Sequence, residues 1–297
     1  MKSAIITGAT GFIGRNLVRQ LSLKGIKVYA IVRDRDKAND IIFNNVMVIE
    51  CEMNDYENLG SLIGAENIDV FYHLAWDGVF GDKRADYKLQ LNNIKCACEA
   101  IKTSSTIGIK KFVFLGTVSQ YQKYCDAYKG LTQNNIYGIA KSTADSIIKN
   151  LAYSMNIQYV LGIMSNIYGP GQDSKSFIQY SINKILARKK LSLTNCHQVY
   201  DFMHINDAVE ALYLIGKSEK ISDEYYIGND FQRPLKDFIN ELRECIDKNA
   251  DIGFGDIPYN GIDVDYSKID VELLYKEFDF KCKFDFKSGI KNTLGIN

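Results

Sequence analysis

The 297-residue chain has no surplus of charge of either sign and no long apolar stretch. Thirty-six lysines and arginines balance thirty-six aspartates and glutamates, so nucleic acid is not expected as the main partner. No stretch approaches the roughly 20 apolar residues that a membrane span requires. The first residues lead directly into a strand pattern instead of a cleavable apolar segment. We therefore expect a cytoplasmic protein without a membrane partner.

Paired cysteine motifs and domain linkers are also missing. The seven cysteines lie at positions 51, 96, 98, 125, 196, 245 and 282 and form no CxxC pair. Cys96 and Cys98 fall in a predicted helix, where residues two apart point in different directions. This usage predicts reduced, structural thiols and no metal site. No proline-, glycine- or serine-rich linker, internal repeat or low-complexity tract divides the chain.

The most informative segment is residues 3–14, in which an apolar strand leads into Gly8, Gly11 and Gly14. Glycine is required where a chain turns tightly and where backbone approaches a pyrophosphate with no Cβ in the way. The helix predicted over Phe12–Leu23 directs its N-terminal amides and the positive end of its dipole at such a phosphate. A second predicted strand follows at Lys27–Val32 and completes the strand–helix–strand unit in which such a glycine motif is meaningful. The segment predicts a nucleotide cofactor site.

Short apolar or β-branched strands alternate with helical patterns up to about residue 165. The predicted strands are Ala4–Thr7, Lys27–Val32, Val46–Glu50, Val70–Ala75, Lys111–Gly116 and Gln158–Ile163, and the predicted helices include Leu89–Thr103 and Ile136–Tyr153. Strands that are apolar throughout are typical of a parallel sheet buried on both faces. The pattern therefore predicts an α/β fold with a doubly wound, Rossmann-type parallel sheet.

The alternation breaks after Tyr168-Gly169-Pro170-Gly171. The later patterns are helices at Phe177–Ala187, Ile205–Gly216 and Leu235–Ile246 and strands at Leu191–Thr194 and Glu224–Gly228, followed by a lysine- and aspartate-rich tail. Because no linker precedes this region, we expect a smaller C-terminal substrate-binding cap. The expected dinucleotide-binding domain is residues 1–165, completed by about 203–228, and the expected cap is residues 166–202 and 229–297.

Tyr137 and Lys141 lie four residues apart in a helical pattern and therefore share one face. A free tyrosine has a pKa of about 10, and a nearby cation favours the phenolate and lowers that pKa. Such a phenol can exchange a proton with a sugar or alcohol oxygen while a hydride moves between the adjacent carbon and a nicotinamide. The same spacing occurs on ordinary surface helices, but with the glycine turn it indicates a dehydrogenase-type site.

Several segments together carry a resemblance to one family. They are Thr7–Gly14 (TGxxGxxG), Tyr72–Ala75 (a fourth-strand motif), Phe112–Tyr121 (a fifth strand with its Ser/Thr loop), Asn166–Gly171 (NxYGPG) and Asp201–Ala208 (RDFIHVxDxA). With them the sequence resembles the extended short-chain dehydrogenases/reductases, and among these the NAD-dependent epimerase/dehydratase family of sugar-nucleotide enzymes. The match spans nearly the whole chain.

The resemblance implies a role for individual residues. Thr117 donates a hydrogen bond to the reacting oxygen, Tyr137 is the general acid/base, and Lys141 holds the nicotinamide ribose while lowering the tyrosine pKa. The implied cofactor-binding residues are Gly8, Thr10, Gly11, Phe12, Ile13, Gly14, Arg33, Glu52, Met53, Leu74, Ala75, Tyr137 and Lys141, and the implied substrate-binding residues are Ser119, Asn166 and Phe177. Ser119 has the alternative of a simple polar loop residue. For Asn93, His73 and His204 we expect hydrogen bonding and packing instead of catalysis.

Two departures from the family pattern narrow the reaction and the substrate. Dehydratases of the family follow the catalytic threonine with Asp and Glu, whereas Thr117 is followed by Val118 and Ser119, which disfavours a 4,6-dehydratase. The arginine that usually precedes Asp-Phe and clamps the substrate pyrophosphate is replaced by Tyr200. The positive charge that the arginine would supply then comes from Lys184, Arg188 or another cation, or the substrate is held differently.

The end of the second strand bears on cofactor choice. NAD users place an acidic residue there to accept hydrogen bonds from the adenosine ribose, but this chain has Val32 followed by Arg33. A guanidinium suits a 2′-phosphate, so NADP(H) is favoured. NAD is the alternative if Arg33 and Arg35 are only solvated charges balanced by Asp34 and Asp36.

The leading hypothesis is an NADP(H)-dependent reduction of a nucleotide-activated 4-keto, 6-deoxy sugar in the synthesis of surface-polysaccharide precursors. The first alternative is an NAD-dependent sugar-nucleotide 4-epimerase, which uses Thr117, Tyr137 and Lys141 to oxidise and then re-reduce C4. The second is a non-catalytic dinucleotide sensor, against which the intact set of three residues argues. A homodimer is an expectation from the family resemblance alone.

Overall fold

The computed structural model describes residues 1–64, 67–124, 135–219, 222–259, 261, 263–264 and 266–296, with backbone only at 122–124 and 268. The strands are β1 (Ser3–Thr7), β2 (Lys27–Val32), β3 (Val46–Glu50), β4 (Val70–His73), β5 (Lys111–Thr117), β6 (Gln158–Met164), β7 (Asn166–Tyr168), β8 (Leu191–Leu193), β9 (Val199–Tyr200), β10 (Phe202–His204), β11 (Glu224–Ile227), β12 (Arg233–Pro234) and β13 (Ile252–Phe254). The helices are α1 (Phe12–Leu23), α2 (Leu59–Ile63), α3 (Tyr87–Ile107), α4 (Ile136–Ser154), α5 (Phe177–Leu186), α6 (Ile205–Lys217), α7 (Leu235–Ile246), α8 (Leu273–Phe278) and α9 (Phe286–Leu294).

Seven strands form the central sheet in the order β11-β6-β5-β4-β1-β2-β3. The strands β3, β2, β1, β4 and β5 pair in parallel with their neighbours. At the other edge, the amides of Leu161 and Ser165 donate to the carbonyls of Asp223 and Ile227 at 2.8 and 2.9 Å, so β11 also runs parallel to β6. The chain order reverses between β1 and β4, which is where such sheets bind ligands at the carboxyl ends of their strands. The predicted doubly wound α/β sheet is confirmed.

The strands of the central sheet are buried on both faces. Ile5, Phe71 and Phe112, from three neighbouring strands, are fully buried. Helix α1 turns Leu17 and Leu21 inward, at the spacing of one helical face. Burial on both faces accounts for the continuous apolar strands of the sequence.

The described residues divide into two compact units. The first comprises the described residues of 1–120, 131–163 and 209–225, and the second those of 121–130, 164–208 and 226–297. The first contains the glycine turn, α3 and α4. The second has its own core, in which Phe202, Phe238 and Phe286 meet with ring centroids 4.9–5.8 Å apart. Its short strands pair as β7 with β10, β8 with β13 and β9 with β12.

The described ranges contain no disulfide and no metal-type cluster. Their cysteines, Cys51, Cys96, Cys98, Cys196, Cys245 and Cys282, are all free thiols. No group of three or more His, Cys, Asp or Glu side chains in these ranges is arranged to hold a metal ion. Within the same ranges, no helix combines the length and the apolar character that a bilayer span needs.

A buried lysine closes the C-terminal end of α6. Lys111, at the start of β5, is only 4% exposed. Its ammonium donates to the carbonyls of Ile215 and Gly216 at 2.9 and 3.2 Å and also to that of Ser218. The last carbonyls of a helix have no intrahelical donor, and a cation suits the negative end of the helix dipole. Lys111 therefore ties α6 to the sheet.

We expect Lys111→Met to lower the free energy of unfolding by about 1–3 kcal/mol, because buried carbonyls lose their donor. The matched control is Lys110→Met, since Lys110 bonds Asp69 at 2.7 Å with its side chain 67% exposed. An exposed ion pair contributes less than about 1 kcal/mol. Urea denaturation of both variants measures the difference, and equal losses would show that Lys111 has no special structural role.

Candidate functional site

A cleft of about 300 Å³ lies in the first unit, where β1, β2, β3 and β4 end. Its lining residues are Gly8, Thr10, Gly11, Ile31, Val32, Arg33, Cys51, Met53, Tyr56, Leu74, Ala75, Trp76 and Asp77. Most residues predicted to bind a cofactor are therefore brought together. Phe12, Ile13 and Gly14 form the adjoining first turn of α1, and Glu52 is an exposed residue that flanks the 3₁₀ turn Met53–Asn58.

The glycine turn has the geometry that a bound phosphate requires. Gly8 has a positive φ of 66°, and a Cβ on Gly14 would lie 2.1 Å from the Gly8 carbonyl oxygen. Helix α1 begins after Gly11 with no side-chain cap and no acidic residue in its first turn. Its first amides therefore have no side-chain acceptor and point out of the helix end. Such an end fits an anion, so the cleft fits the pyrophosphate of a dinucleotide.

Thr7 fixes the backbone that forms the opposite wall. Its hydroxyl accepts hydrogen bonds from the amides of Leu74 and Ala75 at 3.2 and 3.3 Å. It also bonds Nδ1 of His73 at 3.0 Å. A Cβ on Gly8 would lie 2.9 Å from the Ala75 nitrogen, so the wall and the turn are in close contact.

Both motif histidines pack against aromatic rings. The His73 ring stacks on Phe114 with centroids 5.9 Å apart, and burial lowers its pKa to about 3. In the second unit, His204 stacks on Phe284 at 4.1 Å and accepts the Asn206 amide at 3.3 Å; burial lowers its pKa to about 4. These pKa values favour the neutral form of both imidazoles at pH 7, and the structure shows the packing and hydrogen-bond contacts expected for them.

Thr117, Tyr137 and Lys141 come from two elements, the end of β5 and the second and sixth residues of α4. The Thr117 hydroxyl lies close enough to the Tyr137 phenol to lower its pKa. Trp76 links this group to the cleft, because its ring meets Tyr137 edge-on at 6.5 Å and lies 4.0 Å from the Lys141 ammonium. The predicted catalytic residues and the predicted cofactor residues therefore adjoin in one unit.

Two different cations surround the phenol and the cleft. Burial raises the pKa of Tyr137, and the positive charge of Arg84, followed by the neighbouring Thr117 hydroxyl, counteracts that rise. The Lys141 ammonium instead donates to the Leu115 carbonyl at 2.7 Å, and burial lowers its pKa to about 7. The cation that acts on the phenol in this structure is thus Arg84, which the sequence analysis did not identify. The role of Lys141 at a nicotinamide ribose stays a prediction.

Arg33 meets an acidic partner at the cleft. Its Nη1 atom lies 2.9 and 3.1 Å from the two carboxylate oxygens of Asp77. Asn93 holds the backbone of Asp77 by donating to its carbonyl at 2.8 Å and accepting its amide at 3.0 Å, so Asn93 makes hydrogen bonds of the kind expected, here to the loop after β4. Trp76 and Asp77 were not predicted, although they directly follow the Tyr72–Ala75 motif and Trp76 is the single tryptophan of the chain.

The three predicted substrate residues have different surroundings. Ser119, in the first unit, accepts a hydrogen bond from Arg84 at 3.1 Å. In the second unit, the Asn166 side chain donates to the Asp201 carbonyl at 3.0 Å. Phe177, also there, stacks on Phe202 with centroids 6.2 Å apart. Their contact with a substrate stays a prediction.

Tyr200, which replaces the family arginine, stands opposite another arginine in the second unit. The antiparallel pair of β9 and β12 places Arg233 in register with Tyr200. The Arg233 guanidinium forms two hydrogen bonds with the Glu241 carboxylate and lies 4.1 Å from the Phe238 ring centroid. Arg233 is thus the cation that the strand pairing brings to this position, with its charge already matched by Glu241.

The chain is similar to sugar-nucleotide enzymes in sequence and in fold. The CDP-abequose synthase of Salmonella typhimurium is 29% identical over 306 residues, covering 98% of this chain and 96% of that protein. A UDP-glucose 4-epimerase of Thermotoga maritima, solved with UDP-glucose, superposes with a TM-score of 0.82 at 21% identity, covering 99% of this chain and 97% of that chain. A dTDP-glucose 4,6-dehydratase of Bacillus anthracis in complex with NAD superposes with a TM-score of 0.80 at 22% identity, covering 99% and 96%.

These two solved structures share the fold, and the family assignment comes from the sequence. The profile of the NAD dependent epimerase/dehydratase family matches residues 4–228, which is most of the chain. That range includes the glycine turn, the cleft and the three residues Thr117, Tyr137 and Lys141. The protein is an enzyme of the NAD-dependent epimerase/dehydratase family.

Proposed function

We propose that this enzyme uses NADPH to reduce a nucleotide-activated 4-keto, 6-deoxy sugar, in the synthesis of surface-polysaccharide precursors. The observation that carries the proposal is the placement of the Thr117 hydroxyl and the Tyr137 phenol together beside the dinucleotide-type cleft, to which the Trp76 ring connects them. A phenol held next to a hydroxyl can donate a proton to a carbonyl oxygen that both groups bind. The 29% identical CDP-abequose synthase supports a nucleotide-linked sugar as the substrate.

The proposed roles follow the position of each group. The bound cofactor supplies the hydride. Gly8, Gly11 and the first amides of α1 hold its pyrophosphate. Thr117 donates a hydrogen bond to the sugar carbonyl oxygen, and Tyr137 Oη transfers its proton to that oxygen as the alcohol forms. Lys141, buried beside Trp76, holds the nicotinamide ribose in this proposal.

The residues after Thr117 support reduction over dehydration. Elimination of water from the sugar needs an acid and a base near the reacting carbons, and Val118 and Ser119 replace the Asp and Glu of the family's dehydratases. A dehydratase step must therefore occur on another protein, which supplies the 4-keto sugar.

The second candidate is a 4-epimerase, and the Arg33–Asp77 ion pair favours it. A retained NAD has no 2′-phosphate, and a carboxylate at this wall can accept hydrogen bonds from ribose hydroxyls. However, the two side chains are 57% and 39% exposed, and exposed pairs contribute only about 0–1 kcal/mol. A 2′-phosphate can therefore replace Asp77 on Arg33 at small cost, and NADPH remains the proposed cofactor.

The reaction itself is tested with purified protein. With a CDP-, dTDP- or UDP-linked 4-keto-6-deoxyhexose, we expect one NADPH to be consumed for each sugar reduced, measured by loss of NADPH absorbance and by chromatography of the sugar nucleotides. A UDP-hexose without added cofactor is the control and should not change. Conversion of that hexose to its C4 epimer, with no use of NADPH, would establish the epimerase instead.

Cofactor choice is tested by fluorescence titration of NADPH and NADH. Arg33→Ala should weaken NADPH by about 10- to 100-fold, because a charge-assisted contact of about 1.5–3 kcal/mol is lost. Asp77→Asn should tighten NADPH by up to about fivefold, because it removes a competitor worth no more than about 1 kcal/mol. NADH should change little in the Arg33 variant. Equal affinity of the unmodified protein for NADH and NADPH would contradict the NADPH assignment.

The proton donor is tested with a matched pair of tyrosines on α4. Tyr137→Phe should lower kcat by about two to four orders of magnitude, the range for loss of a positioned general acid, with NADPH affinity nearly unchanged. Tyr153→Phe is the control, since Tyr153 is 89% exposed on the same helix. Turnover close to normal in the Tyr137 variant would place the proton donor elsewhere.

A further inference from the structure

An arginine that belongs to no motif lies against the ring of the proposed proton donor. Arg84 ends the 3₁₀ turn Gly81–Arg84, between β4 and α3. Its guanidinium carbon is 4.3 Å from the centroid of the Tyr137 ring. This is within the distance at which a cation interacts with an aromatic face.

The same guanidinium is held from two further directions. Its Nη2 donates to the Ser119 hydroxyl at 3.1 Å, and its Nη1 donates to the Val79 carbonyl at 3.3 Å. Ser119 also packs closely on α4, because a Cβ on Gly138 would lie 2.5 Å from the Ser119 carbonyl oxygen. Arg84 therefore joins three parts of the first unit at Tyr137: its own turn, the loop after β5 and the start of α4.

We propose that Arg84 is the positioning residue of the proton donor: it fixes the Tyr137 ring and supplies the positive charge that faces it. The proposal rests on the function proposed above, in which Tyr137 donates the proton. It separates two tasks that the sequence analysis gave to Lys141 alone. Arg84 acts on the phenol, and Lys141 is left to bind at the cleft.

The physical reason is the difference between phenol and phenolate. Proton donation leaves a negative charge on Tyr137, and its attraction to a guanidinium at this distance grows when the ring becomes anionic. Among the described residues, the charged group that acts on the phenol is Arg84, and the Thr117 hydroxyl is its neutral neighbour, whereas the Lys141 ammonium lies 4.0 Å from the centroid of the Trp76 ring. Burial lowers the pKa of Lys141 to about 7, so its charge is lost above neutrality. Arg84 stays charged at every working pH.

The test compares Arg84→Met and Arg84→Lys with the control Lys83→Met, which removes an exposed charge one residue away. The pKa of Tyr137 is obtained from the tyrosinate absorbance of each protein minus that of the same protein carrying Tyr137→Phe. In Arg84→Met we expect this pKa to rise by about one unit, with a roughly tenfold loss of kcat at neutral pH. The kcat–pH profile should shift to higher pH by the same amount. Arg84→Lys should restore part of both, and Lys83→Met should change neither.

The outcomes separate this proposal from the proposed function. A loss of kcat in Arg84→Met with an unmoved Tyr137 titration would overturn the role of Arg84, because a merely structural residue would give that result. Normal turnover in Tyr137→Phe alone would instead overturn the proposed proton donor. If circular dichroism shows that Arg84→Met does not fold, Arg84→Gln keeps a donor for Ser119 without the charge, and its Tyr137 titration decides the question in the same way.

Discussion

The close approach of α1 to the glycine turn is the constraint on which the site depends. The Gly8 carbonyl occupies the space that a Cβ on Gly14 would take, so α1 can begin directly at the end of β1. Its open amides then face the space beyond the strand ends, where β2 and β4 also end. Any side chain at Gly14 would move the helix away from the strand and the amides away from a phosphate. The cleft therefore follows from backbone geometry before any side chain contributes.

The cations of the site are each held by the protein's own acceptors. Arg33 meets the Asp77 carboxylate, Lys141 donates to the Leu115 carbonyl, and Arg84 donates to Ser119 and Val79. Binding of a phosphate or a ribose is thus an exchange of hydrogen-bond partners. An exchange at an exposed ion pair costs little, whereas one at a buried ammonium involves a larger change in solvation. In the proposed function, Arg33 is accordingly the cation whose partner is exchanged at the lowest cost when a cofactor binds.

Local periodicity was sufficient to predict much of the first unit. The bounds of α1, β2 and β3 agree with the structure, because each is a continuous apolar or amphipathic run that ends at turn residues. The two-residue strands β9 and β12 were not predicted, since their pairing is set by tertiary contacts and not by pattern. Helix α9 lies in the lysine-rich tail, and only its buried Phe286 and Ile290 show why it is ordered.

The residues of the site fall into the same two groups, those predicted by local pattern and those brought together only by tertiary contacts. The residues near Gly8 and around Tyr137 form sequence-local motifs, so their types and spacings could be read in advance. Arg84 lies 53 positions before Tyr137 in the sequence, and nothing local indicates that the two meet. Asp77 was missed for the same reason: the sequence shows an arginine at the end of β2 but not the carboxylate that β4 brings to it.

The difference between reduction and epimerisation therefore lies outside the proposed proton-transfer residues. With Thr117, Tyr137 can give a proton to the sugar oxygen or take one from it. Both reactions transfer a hydride between the cofactor and the adjacent sugar carbon. What differs is whether the oxidised cofactor leaves after one transfer. In the proposed function, Arg33 exchanges Asp77 for a 2′-phosphate, a contact that would form and break in each turnover, which is the behaviour that a reductase needs and an epimerase with a retained cofactor does not.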